Sequence, residues 1–100
     1  MLLLNMKNFI ASLLATSALA EVKNLIVDTD MGLDVDDMAA LAVAHYYADQ
    51  GEVNLLGTMH STACPLGIAA VHVVNSYYGR RHLPIGAYKG DFGMDCNTGT

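Results

Sequence analysis

The chain has 100 residues, with five Lys or Arg against ten Asp or Glu and a formal net charge of −5. That length holds one small domain at most, and the acidic balance excludes the basic footprint that nucleic-acid binding requires. Tyr46-Tyr47 and Tyr77-Tyr78 could stack bases, yet almost no Lys or Arg stands beside them, and Arg80-Arg81 reads as a solvated helix end.

Met1 to Ala20 carries one positive charge at Lys7, an apolar stretch from Phe9 to Leu19, and Ala18-Leu19-Ala20 before Glu21. This is the layout of a secretory signal peptide with a small-x-small cleavage site. The stretch is too short, and too interrupted by Ser12, Thr16 and Ser17, to span a membrane. Cleavage after Ala20 is expected, leaving a secreted or periplasmic chain, residues 21–100, with no membrane attachment.

Val22 to Val27 is short, apolar and partly β-branched, which suits a buried strand. Asp36 or Asp37 can cap a helix from Met38 to about Ala48, where Met38, Leu41, Ala42, His45 and Ala48 recur at helical spacing. Asp49-Gln50-Gly51-Glu52 breaks it, and Val53 to Met59 reads as a second strand. A loop from His60 to Pro65 leads into a helix over about Leu66 to Tyr78, stopped by Gly79. Leu83 to Tyr88 is a third short strand, with Pro84 better placed at its start than its middle. The order β-α-β-α-β predicts a partial doubly wound, Rossmann-like parallel sheet with right-handed crossovers. The tail from Lys89 to Thr100 has loop chemistry and no closing element, so residues 21–100 read as the N-terminal part of a larger α/β domain. Cys64 and Cys96 are the only cysteines. They either pair, closing a loop of about thirty residues worth about 2–4 kcal/mol, or remain two buried thiols. No Cys/His metal spacing accompanies them.

Between Leu25 and Leu41 lies the string LIVDTDMGLDVDDMAAL, with five of the ten acidic residues. Asp28, Asp30, Asp34, Asp36 and Asp37 follow an apolar strand and precede a helix. Carboxylates this close raise one another's pKa, and the usual relief is a hard cation such as Ca²⁺ or Mg²⁺. The carboxyl end of a strand is also where open α/β sheets bind ligands. An EF-hand loop does not fit, because counting from Asp28 puts Gly32 fifth and Ala39 twelfth. A phosphate-cradling glycine loop does not fit either, since no Gly-Lys-Ser/Thr follows Gly32. Asp28-Thr29-Asp30 after a strand resembles the haloacid-dehalogenase phosphatases, in which the first Asp attacks phosphorus. That family has Thr or Val where Gly32 stands and does not carry three further acids.

The whole string from Asp28 to Leu41 resembles the N-terminal signature of the inosine/uridine-preferring nucleoside N-ribohydrolases, a strand followed by D-x-D-x-G-x-D-D and a helix. A branch of mostly exported relatives has two extra residues before the last acidic pair, as here in Asp34-Val35. The resemblance continues through Leu56-Gly57-Thr58, Asn75-Ser76-Tyr77-Tyr78-Gly79-Arg80 and Leu83-Pro84-Ile85-Gly86, and spans Val22 to Gly90. It implies a nucleoside hydrolase fold, a small-molecule nucleoside as substrate, and hydrolysis of its N-glycosidic bond through an oxocarbenium-like transition state. It also implies a Ca²⁺ ion that holds the ribose hydroxyls and the attacking water, and homo-oligomers among full-length relatives. Asp30 and Asp37 match metal-ligand positions, Asp36 the base that deprotonates the water, and Asp28 a strand-end acid touching ribose or supporting the site. Asp34 lies in the inserted dipeptide, as an extra ligand or a solvated loop residue.

Two departures accompany the resemblance. Where the family places an Asn that contacts ribose, this chain has Ala63, and Thr62 and His60 are the nearest polar substitutes. The family's later metal-binding acid and its histidine near the leaving base have no counterpart after Gly90. The 100-residue chain alone is therefore expected to be inactive, and a non-catalytic, cation-binding fragment is the rival expectation.

Overall fold

The computed structural model describes residues 21–32 and 35–90. Three strands and two helices alternate: β1 (Lys23–Thr29), α1 (Asp36–Asp49), β2 (Val53–His60), α2 (Pro65–Tyr77) and β3 (Ile85–Ala87). The strands form one parallel sheet in the order β1-β2-β3. Right-handed crossovers between strands laid down in one direction place both helices on the same face. The packing agrees. Val27 joins the cluster of Met31, Leu41, Val71 and Val74, and also the cluster of Ala44, Leu55 and Leu83, so it meets both helices from one side of β1. The fold is thus α/β, with one sheet face covered by the described residues.

The element order agrees with the sequence reading, and its boundaries are sharpened by local chemistry. β1 runs on to Thr29, so the first acid of the cluster, Asp28, lies inside the strand. α1 begins at Asp36 and not after it. Val35 occupies the cap position with no side-chain cap, and Asp36 and Asp37 sit in the first turn, where exposed N–H groups and the macrodipole favour negative charge. α2 begins at Pro65, whose missing N–H costs nothing at a first helical position. Both helices are followed by a glycine with positive φ, Gly51 at 73° and Gly79 at 77°, a conformation that side chains resist. β3 covers only Ile85–Ala87, because Pro84 stays outside and offers its carbonyl to the Thr58 amide at 3.0 Å.

One irregularity decides which residues of β2 face the helices. The register slips between Leu25 and Ile26: Leu25 pairs with Leu55 but Ile26 pairs with Gly57, leaving Leu56 as a bulge. An inserted residue reverses the alternation beyond it. Thr58 and His60 are therefore buried beneath the helices, while Leu56 and Met59 are exposed.

A polar line crosses the helical layer. Asp49 Oδ1 accepts from Arg80 Nη2 at 2.6 Å. Arg80 Nη1 donates to His45 Nδ1 at 3.3 Å, and His45 Nε2–H donates to Asn75 Oδ1 at 2.9 Å. Asn75 Nδ2 in turn donates to Thr58 Oγ1 at 3.4 Å. His45, Asn75 and Thr58 are buried, and the His45 ring lies flat on Tyr78 with centroids 4.7 Å apart. Arg80 is not a solvated helix end: it is only 22% exposed and joins α1 to α2, whereas Arg81 is exposed.

Candidate metal centre

β1 and β2 end side by side, with Thr29 opposite His60. Thr29 is buried and organises both chain segments that leave these strand ends. Its Oγ1 accepts the Met31 amide at 3.1 Å, and its carbonyl accepts the Ser61 amide at 3.0 Å and the Ser61 hydroxyl at 3.2 Å. The chain leaving β2 is thereby fixed to the end of β1.

Asp30 emerges exposed from that end, and the first turn of α1 brings Asp37 to it. The half-buried Asp37 carboxyl lies close enough to Asp30, Asp36 and Thr29 for each to act on its charge. Its pKa lies above the ordinary carboxylate value. Burial is the largest cause, followed by the neighbouring Asp30 carboxyl; the Thr29 hydroxyl pulls the other way, and the charges of Asp30 and Asp36 add to the rise. Carboxylates this close to one another raise each other's pKa.

The predicted acids do not all meet. Asp30 and Asp36 both act on the Asp37 carboxyl. Asp28, exposed and opposite Met59, follows Val27 along the strand and so points to the uncovered face of the sheet. Asp34, like Cys96 and the leader from Met1 to Ala20, lies outside the described residues. Among the described residues, no three His, Cys, Asp or Glu side chains group as a metal cluster.

The loop after β2 presents little polar chemistry. Ala63 is exposed, with a methyl group where a hydroxyl-binding amide would stand. His60 and Thr62 do not replace it, because both are buried and bound to the loop itself. His60 Nε2–H donates to the Cys64 carbonyl at 2.9 Å with Thr62 Oγ1 3.0 Å away, and Thr62 Oγ1 accepts the Cys64 amide at 3.3 Å. The other ring nitrogen of His60, Nδ1, is buried without a hydrogen-bond partner. Gly67 makes room for this ring: a Cβ there would stand 2.1 Å from His60 Cε1. Cys64 is disulfide-bonded, and no free cysteine occurs among the described residues.

The chain matches no family model, no curated protein and no solved structure. Thr29 was not singled out from the sequence as a site residue. Its position inside Asp28-Thr29-Asp30 was the available signal, since a hydroxyl there can bond its own backbone two residues on.

Proposed function

We propose that this chain is the N-terminal portion of a calcium-dependent nucleoside N-ribohydrolase with a nucleoside hydrolase-type sheet, exported by its leader. The carboxyl pair Asp30–Asp37 at the carboxyl end of a parallel strand carries the proposal. The string from Asp28 to Leu41 supports it, as do the later segments at Leu56, Asn75 and Leu83.

In this reading Asp30 and Asp37 would hold Ca²⁺, with Asp34 as a candidate further ligand. The Thr29 hydroxyl favours the charged form of Asp37. When bound, the ion lowers the pKa of water and orients the ribose hydroxyls. Asp36, in the first turn of α1 beside Asp37, would accept the proton from the attacking water. Asp28, which points to the uncovered face of the sheet, takes no part in holding the ion. Ala63 leaves hydroxyl binding to other groups, so ribose is held less firmly than an Asn would hold it.

A reducing-sugar assay with inosine and uridine tests the proposal. A longer chain carrying this N-terminus should release free base, and Asp36→Asn should lower its rate about 10²–10⁴-fold, the usual cost of losing a general base. Calcium binding should weaken far less. The 100-residue chain alone should show no turnover. Hydrolysis of phosphomonoesters with Mg²⁺, lost in Asp28→Asn, would instead make Asp28 a nucleophile and overturn the proposal.

A further inference from the structure

We propose that His45 is a pH-sensitive latch joining α1, α2 and β2, closed while its imidazole is neutral and released when the ring takes up a proton. This inference is independent of the hydrolase reading, because none of its groups lies in the aspartate cluster.

Both ring nitrogens of His45 are committed. Nε2–H donates to Asn75 Oδ1 at 2.9 Å, and Nδ1 accepts from Arg80 Nη1 at 3.3 Å. A second proton could enter only at Nδ1, where it would face another N–H on a guanidinium that is always charged. His45 is fully buried, so water is not at hand to solvate the new cation. The groups acting on the ring can be named by element. Arg80, in the turn after α2, opposes protonation by its charge; Asp49, one turn further along α1, favours it but is already engaged by Arg80 Nη2 at 2.6 Å. From α2, Asn75 holds Nε2, and Tyr78 at its C-cap offers a ring face that attracts a cation. From β2, Thr58 is neutral and completes the line. Burial and Arg80 outweigh the favourable partners, and the His45 pKa lies below the ordinary histidine value.

Release would be felt in a definite place. The Arg80 amide is bonded to the Asn75 carbonyl at 2.8 Å, and the Arg80 carbonyl accepts the Leu83 amide at 2.9 Å. Leu83 is buried against Ala44 and Leu55 and leads directly into β3. The latch therefore holds the turn that docks β3 on the sheet.

Amide hydrogen exchange on the full chain tests this between pH 7.5 and 5.0, with protection corrected for intrinsic exchange. In the wild type, protection around Leu83 to Ala87 should fall about tenfold for each unit by which the closed-state pKa of His45 lies below that of the released state. Met31 and the first turn of α1 should not follow that fall. His45→Gln should remove the dependence. Arg80→Gln and Asp49→Asn provide a test that survives if His45→Gln does not fold. Both break the same ion pair, but losing Arg80 should flatten the pH dependence and losing Asp49 should steepen it. Equal pH dependence in all four proteins, or a shift of the same sign in Arg80→Gln and Asp49→Asn, would overturn the latch.

Discussion

The helical layer has two ends that treat polar groups in opposite ways. Towards its C-terminal end, the line Asp49–Arg80–His45–Asn75–Thr58 gives each buried group a partner within the chain. At its N-terminal end, about 13 Å from His45 at the helical rise, Asp36 and Asp37 share the first turn of α1, and burial, then the neighbouring Asp30 and Asp36, raise the Asp37 pKa. Satisfied groups lock elements together. Groups left in conflict mark where something outside the chain is expected to bind. The difference separates structure from function within one pair of helices.

The most damaging change strikes what both ends share. Leu41 is fully buried between them, and Leu41→Ala should cost about 2–5 kcal/mol in urea denaturation. Asn75→Ala breaks only the satisfied end, leaving His45 Nε2–H and the Thr58 hydroxyl without their partner. Its expected cost is about 1–3 kcal/mol, with calcium affinity unchanged. The charged end should respond with the opposite sign. Asp37→Asn removes a carboxylate repelled by Asp30 and Asp36, and calcium-free protein at pH 7 should gain about 0.2–1 kcal/mol, the range for exposed charge pairs.

The two ends should also differ in pH dependence. His45 has a lowered pKa in the folded state, so its contribution is intact above the unfolded value of about 6.5 and is lost as pH falls below it. Asp37 has a raised pKa, so the folded state binds the extra proton and its penalty grows as pH rises through the folded pKa. Thermal unfolding across pH 4–8 should show these opposing slopes in the wild-type protein, His45→Gln removing the first and Asp37→Asn the second.

Much of the fold was legible because strands and helices are signalled locally. Apolar runs at Leu25 and Val53, helical spacing around Leu41, and Gly51 and Gly79 as stops give the order and type of all five elements. The bulge at Leu56 was not legible, since no local signal distinguishes an unpaired residue within an apolar run. Nor was the partnership of His45 with Asn75 and Arg80, which joins residues 30 and 35 positions apart. At the site, the acids were legible as a cluster. Their division was not, because the strand alternation that turns Asp28 away depends on how far β1 extends.

Calorimetric titration of Ca²⁺ into the wild-type chain and into Asp30→Ala tests the central claim, that the unsatisfied end is a cation site. Binding of about millimolar affinity, as expected for an incomplete oxygen cage, should appear in the wild type and vanish in Asp30→Ala. Identical heats from the two proteins would contradict it.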